Sequence, residues 1–84
     1  MEIKNLTDKR IYEIIMDDIK KSEKGFSPIT NTQVWKILGT EHSPNSVRDK
    51  VQKMIKQKYF KGKYEQFIGD KYYNRVLYVG SDRP

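Results

Sequence analysis

The amino-acid sequence predicts an α+β fold in which three helices are followed by a β-hairpin, within one domain spanning residues 1–84. Up to about residue 58, apolar residues recur at the three- and four-residue spacing of amphipathic helices. Beyond it, five of the six tyrosines lie in two runs of aromatic and β-branched residues, which favour strands. A chain of 84 residues suffices for one domain, and we expect its ordered core to span about residues 7–79.

The first helix is predicted to begin at Thr7, a good N-cap, and to end before Gly25. One face is formed by four isoleucines at helical spacing: Ile11, Ile14, Ile15 and Ile19. Tyr12 and Met16 widen this face on one side, which favours a broad core face and leaves a partner or dimer surface as the alternative. The following segment is not helical because of Pro28, and Ile29 is a candidate for a very short strand.

The second helix carries a clear start signal. Thr30 and Gln33 match the capping-box pattern, and Gly39 is predicted to end the helix. Its expected buried face comprises Val34, Ile37 and Leu38. Trp35 lies beside that face and is expected at the edge of the core, with a partner-binding anchor as the alternative.

The third helix is predicted to begin at Ser43 and Pro44, an N-cap followed by proline at the first helical position. It should run to about residue 58. Its apolar face comprises Val47, Val51, Met54 and Ile55.

A β-hairpin should follow, with strands at about 60–67 and 73–79 and a turn at Gly69-Asp70. We expect most of its tyrosines to pack on the helices or cover the sheet, and Tyr64 and Phe67 to be among the packed rings. Stacking of some tyrosines on nucleic-acid bases is the alternative.

The net charge of +6 is concentrated in the centre of the sequence. Residues 1–42 carry seven basic and seven acidic residues, and residues 76–84 carry one of each. Residues 43–75 carry nine basic and three acidic residues, which is the whole excess of nine minus three. A concentrated basic excess is typical of proteins that bind nucleic acid, and a solvated surface is the alternative.

Several functional classes are excluded or disfavoured. The chain has no cysteine, which excludes a disulfide scaffold and a thiol nucleophile. It has no apolar run typical of a signal peptide or a membrane span, so we expect a cytoplasmic protein. It has no phosphate-binding loop and no evident nucleophile–base pair, and His42 stands alone in a polar turn. We therefore expect no enzyme activity, cofactor, metal or small-molecule substrate.

The order of helix, short helix, tight turn, longer helix and basic hairpin resembles the winged helix–turn–helix class. The string TNTQVWKILG at 30–39, with Ser-Pro-Asn at 43–45, resembles the DNA-binding domain of LexA-type SOS repressors. The resemblance covers about residues 7–79, with a turn one residue longer between the two helices. The self-cleaving domain of that family has no counterpart here, so its proteolytic switch is not expected. The resemblance implies that the third helix enters the major groove of duplex DNA.

Candidates for base contacts lie on or beside the solvent face of the third helix. Arg can pair with guanine, Asn or Gln with adenine, and Asp with cytosine. These candidates are Asn45, Ser46, Arg48, Asp49 and Gln52. Pairing of Asp49 with Lys53 is the alternative for that carboxylate.

Candidates for phosphate contacts lie at the helix starts, along the third helix and in the hairpin, where we expect the cations to be exposed. They are Thr30, Ser43, Lys53, Lys56, Lys61, Lys63, Lys71 and Arg75. In the LexA-type resemblance, Ser43, Asn45 and Ser46 match the family's base- and phosphate-contacting helix start.

The predicted function is double-stranded DNA binding by a sequence-specific transcriptional regulator of a small genetic system, such as a phage or plasmid. Homodimerisation is left open. One alternative is a protein-binding winged helix that acts as an inhibitor or adaptor, for which an exposed apolar patch at Tyr12, Met16 and Trp35 would be evidence. The other is a replication or recombination accessory that binds DNA without sequence preference.

Overall fold

The computed structural model describes residues 3–39 and 41–81. Within these ranges the elements are α1 (Leu6–Lys21), β1 (Phe26–Ser27), α2 (Asn31–Leu38), α3 (Pro44–Lys56), β2 (Phe60–Glu65) and β3 (Asn74–Val79). The strands form one antiparallel sheet in the order β1-β3-β2. The α+β class is therefore confirmed, but the predicted order is wrong in one respect, because a strand stands between the first two helices.

That strand, β1, lies two residues before the predicted position at Ile29. It pairs with β3, with Phe26 opposite Tyr78 and Ser27 opposite Leu77. The ladder stops there because Pro28 has no N–H to donate. The buried hydroxyl of Ser27 donates to the Asp18 carboxylate and accepts from the Ile29 N–H. The first strand thus ties the sheet to the connection between α1 and α2.

The helix starts follow local capping rules, with one correction. Asn5, not Thr7, caps α1, and its side-chain oxygen accepts from the N–H groups of Thr7 and Asp8. Asn is at least as good an N-cap as Thr, so the helix begins earlier than predicted. The capping box of Thr30 and Gln33 is confirmed.

The third helix also begins as predicted, with the Ser43 side chain accepting from the Ser46 N–H and Pro44 in the first turn. It ends at Lys56, two residues before the predicted end. The chain leaves the helix there because Lys58 adopts a positive φ of 68°.

One hydrophobic core joins the helices to the sheet, and the four isoleucines predicted on α1 all belong to it. Its buried members are Ile11, Ile14, Ile15, Ile19, Ile29, Val34, Val47, Val51, Met54, Tyr59, Phe60 and Leu77. The prediction that Ile37 is buried is wrong, because its side chain is 55% exposed. The eight-residue α2 turns only Val34 fully inward, while Trp35 and Leu38 pack against the edge of the core.

The hairpin pairs Phe60 with Val79 and continues in register to Glu65 opposite Asn74. Both strands are slightly shorter than predicted. The predicted turn is present, since the Asp70 N–H donates to the Phe67 carbonyl and Gly69 has a φ of 89°. Among the described residues, no helix has the length and apolarity that crossing a membrane requires.

Candidate nucleic-acid interface

The solvent face of α3 brings together three of the five candidates for base contacts. Val47, Val51 and Met54 are buried on the opposite face. Asn45, Asp49, Gln52 and Lys56 follow one another at intervals of four, three and four residues, and all four are exposed. Residues at this spacing share one side of a helix. We call this set the α3 stripe: Asn45, Asp49, Gln52 and Lys56.

Arg48 borders the α3 stripe on the side of the hairpin. It lies seven residues, or about two helical turns, before Ile55 and is therefore on the same side of α3. The Ile55 side chain comes within 3.5 Å of the position that a Cβ on Gly62 of β2 would occupy. The Arg48 side chain is 55% exposed, and one guanidinium nitrogen is 3.7 Å from the Asp49 carboxylate. An ion pair this open to solvent is weak, so the guanidinium stays available to another partner.

Lys53 borders the stripe on the other side. It lines a groove with Asp8 of α1 and with Asn45, Asp49 and Lys50 of α3. The partner of Asp49 within ion-pair distance is Arg48, in contrast to the Asp49–Lys53 pairing considered from the sequence.

The two residues predicted to contact phosphates at helix starts, Thr30 and Ser43, act as N-caps. The Thr30 hydroxyl accepts from the Gln33 N–H at 3.1 Å, and the Ser43 hydroxyl accepts from the Ser46 N–H at 3.1 Å. A hydroxyl that accepts one hydrogen bond keeps its own hydrogen as a donor. Both residues are exposed, so each can cap its helix and donate to a phosphate oxygen. Ser46, a base-contact candidate, is half-buried in the first turn of α3.

Arg75 is not the freely exposed cation that we expected. Its guanidinium donates to the Asn31 side-chain oxygen at 3.0 Å and to the Ile29 carbonyl at 3.0 Å. Burial lowers the pKa of Arg75, although guanidinium groups remain charged in proteins. The side chain therefore fastens β3 to the start of α2.

Three hairpin lysines are exposed, and two of them lie on the outer face of the sheet. Gly62 faces α3, so its strand neighbours Lys61 and Lys63 lie on the other face. The Lys63 ammonium is 5.4 Å from the Tyr78 ring centre, and the Lys71 ammonium is 5.7 Å from that of Tyr72. Lys61 and Lys63 thus lie on the face of the sheet away from α3 and do not extend the α3 stripe.

The aromatic residues of the hairpin divide into a packed and an exposed group. Phe26 of β1 packs against Phe67 and Tyr78, with ring centres 6.1 and 5.3 Å apart. Burial and the nearby Glu65 carboxylate raise the pKa of Tyr78. The packing predicted for Phe67 is confirmed. The packing predicted for Tyr64 is wrong, since its side chain is 73% exposed.

Sequence reasoning missed an ion pair that removes one cation from the basic segment. The Lys50 ammonium is 2.7 Å from the Asp8 carboxylate, and the two side chains are 28% and 15% exposed. Lys50 is therefore committed to α1. No local pattern predicts this contact, because the two residues are 42 positions apart.

The three candidates for a partner surface lie against the core. Tyr12 packs on Tyr59 and Phe60, with ring centres 6.0 and 5.2 Å apart. Met16 is partly buried against the core, as is Trp35, whose indole N–H donates to the His42 carbonyl. The three side chains are half-buried and do not form an exposed apolar patch.

Neither a protein-family model, nor a curated protein, nor a solved structure matches the chain. Across residues 3–39 and 41–81, no group of three or more His, Cys, Asp or Glu side chains is placed to hold a metal ion. The functional proposal therefore depends on the charge and geometry of the chain itself.

Proposed function

We propose that this protein is a cytoplasmic, sequence-specific DNA-binding regulator with a winged helix–turn–helix architecture. In this proposal α3 enters the major groove and the hairpin lies beside the sugar-phosphate backbone. The α3 stripe carries the proposal. It presents Asn45, Asp49 and Gln52 to solvent on one helix face with Arg48 beside them. These are the side-chain types that distinguish base edges in the major groove.

The distribution of charge supports the same face. Arg48 and Lys53 border the stripe, Lys56 belongs to it, and all three are exposed. Three of the four acidic residues of α1 lie elsewhere: Glu13, Asp17 and Asp18 line a groove between α1 and α2, which no residue of α3 lines. The fourth, Asp8, is paired with Lys50. A polyanion approaching α3 therefore meets cations first, and phosphate contacts would fix the position of the helix.

The position of the hairpin also supports the proposal. Ile55 lies against Gly62, which fixes the base of the hairpin beside α3. The bonds from Arg75 to Asn31 and Ile29 fix β3 to the start of α2. These two sets of contacts hold the hairpin in one orientation relative to α3. The proposed binding mode needs such a fixed orientation, with the hairpin beside the major groove that α3 enters.

Selection of binding sites from random duplexes tests this function. We expect the wild-type protein to enrich one sequence. Arg48→Ala should lose about 1–3 kcal/mol of binding free energy on that sequence and relax preference at one or two base pairs. Arg10→Ala is the matched control, because Arg10 is exposed on α1 and lines the groove between α1 and α2.

Three results would count against parts of the proposal. Equal losses on every sequence would place Arg48 on a phosphate. Duplex binding without enrichment would favour the non-specific accessory function. Failure to bind any duplex would overturn the proposal. No observation favours the inhibitor or adaptor function, since Tyr12, Met16 and Trp35 pack on the core.

A further inference from the structure

Three tyrosines at the far end of the hairpin leave their rings in solvent. Tyr64 is 73% exposed, Tyr72 is 73% exposed and Tyr73 is 66% exposed. By contrast, Phe26 of β1 packs against Tyr78 of β3 and against Phe67 of the connection between β2 and β3. Exposure is therefore not a general property of the aromatic residues in and around this sheet. Exposed aromatic rings that neighbour one another in the chain are candidates for a binding site.

The exposed rings lie close together along the chain. Tyr64 stands opposite Arg75 in the β2–β3 ladder, and Tyr72 and Tyr73 immediately precede β3. We call residues 64–73 the hairpin tip. Ile68 at this tip is also fully exposed, and the Lys71 ammonium lies over the Tyr72 ring. The tip thus combines ring faces with a cation, as surfaces that bind single-stranded nucleic acid do.

An intact duplex offers these rings little to bind. Its bases are stacked on each other, so a tyrosine can reach only sugars, phosphates and base edges. An unpaired nucleotide exposes its flat face, and every base has such a face. Three solvent-exposed rings beside lysine are therefore better matched to unpaired nucleotides than to a second stretch of duplex.

We propose that the hairpin tip stacks on unpaired bases next to the duplex held by α3, so that the preferred ligand is duplex DNA with an adjoining single strand. This inference rests on the proposed function, since α3 supplies the duplex contact. The Ile55–Gly62 contact and the Arg75 bonds hold the hairpin beside α3. The tip consequently reaches DNA at a fixed side of the bound groove.

The test compares affinities for matched DNA ligands by fluorescence anisotropy. One duplex is blunt, two others carry six unpaired thymidines at a 3′ or a 5′ end, and another carries six abasic residues in place of the thymidines. We expect a thymidine extension of one polarity to strengthen binding about ten-fold over the blunt duplex. The abasic extension adds the same phosphates and should add less than two-fold.

Two triple variants separate ring stacking from other effects. Replacing Tyr64, Tyr72 and Tyr73 by leucine should abolish the ten-fold gain and leave blunt-duplex affinity within about two-fold. Replacing the same residues by phenylalanine should keep the gain, because the ring is retained. Circular dichroism melting checks that both variants fold.

The inference is overturned if thymidine and abasic extensions bind alike, if neither strengthens binding, or if the phenylalanine and leucine variants lose the gain equally. Each of these results leaves blunt-duplex binding, and thus the proposed function, in place. Absence of blunt-duplex binding by the wild-type protein at low salt would instead overturn the proposed function and this inference with it.

Discussion

Gly80 lies where the chain leaves β3 and passes beside the turn between α3 and β2. A Cβ at this position would lie 2.1 Å from the Lys58 carbonyl oxygen and 2.5 Å from the Tyr59 carbonyl carbon. The Gly80 N–H also donates to the Tyr59 carbonyl at 2.9 Å. The clash is with backbone, which cannot rotate away as a side chain can, so the turn requires glycine here.

We expect Gly80→Ala to lower the free energy of unfolding by about 1–3 kcal/mol, the cost of forcing extra volume into a closed site. For a domain of this size, each kcal/mol corresponds to a fall of about 4–8 °C in Tm. Gly62→Ala is the control, because Gly62 has no positive φ and a Cβ there would meet the Ile55 side chain at an ordinary contact distance of 3.5 Å. Melting curves showing that Gly62→Ala is the more damaging change would refute the close approach at Gly80.

The contacts that sequence reasoning found at single residues are local ones. The capping pair of Thr30 and Gln33 and the Ser43 cap each join residues three positions apart, so a short pattern reveals them. The Arg75–Asn31 bond joins residues 44 positions apart. Such a contact depends on how elements pack, and this explains why Arg75 was expected to be exposed.

At the scale of elements, the N-terminal turn of α1 is joined to α3 by the Asp8–Lys50 pair. Its Nζ–Oδ1 distance is 2.7 Å and its side chains are mostly buried. In the Asp17–Lys21 pair the distance is 3.0 Å, and the side chains are 65% and 75% exposed. Screening by water weakens exposed pairs most. The partly buried pair therefore stabilises the packing of α1 on α3 more strongly.

Double-mutant cycles on unfolding free energy measure this difference. The coupling of Asp8→Asn with Lys50→Met should be about 1 kcal/mol or more, as for charged hydrogen bonds. The coupling of Asp17→Asn with Lys21→Met on the exposed face of α1 should be about 0.3–0.5 kcal/mol. Equal couplings would show that the Asp8–Lys50 contact adds nothing beyond a surface pair.

The hairpin lysines are expected to act together on any duplex. Replacing Lys61, Lys63 and Lys71 by alanine should weaken binding to preferred and scrambled duplexes alike. Lysine is a point charge that neutralises phosphates and does not read base edges. The slope of log affinity against log salt should become shallower by up to about three units, measured by anisotropy.

The matched control removes three positive charges from outside the proposed interface, at Lys20, Lys21 and Lys36. These lysines are exposed on α1 and α2, and their loss should change the salt slope by less than one unit. If both triple variants change the slope equally, the effect is one of net charge and the hairpin has no special role.

Elements were predicted better than their exposed surfaces. Helical spacing and caps predicted all three helices within about three residues, because both signals are local; the largest error is at the end of α1, which stops at Lys21 and not just before Gly25. The first strand was misplaced, since two residues carry too little pattern and its pairing partner β3 lies some 50 positions away. The exposure of Tyr64 and Ile37 was missed for a related reason. Sequence patterns predict that large apolar residues are buried, but whether another element covers a residue depends on the fold.

At the scale of the whole molecule, residues 43–75 contain nine basic residues, but not all of them are free to bind a phosphate. Lys50 is paired with Asp8, and Arg75 is held by Asn31 and Ile29. The cations left exposed among our candidates are Arg48, Lys53, Lys56, Lys61, Lys63 and Lys71. In the proposed binding mode, with α3 in the major groove and the hairpin beside the backbone, we expect about five of them to meet phosphates at once.

The salt dependence of duplex binding tests most directly whether these cations contact DNA phosphates. Affinity for a duplex containing the selected site is measured by fluorescence anisotropy from low to physiological salt. Neutralising about five phosphates predicts that log affinity falls against log salt with a slope near −4 to −5. A slope between zero and −1, or no duplex binding even at low salt, would contradict the central claim that the face built on α3 and the hairpin binds DNA.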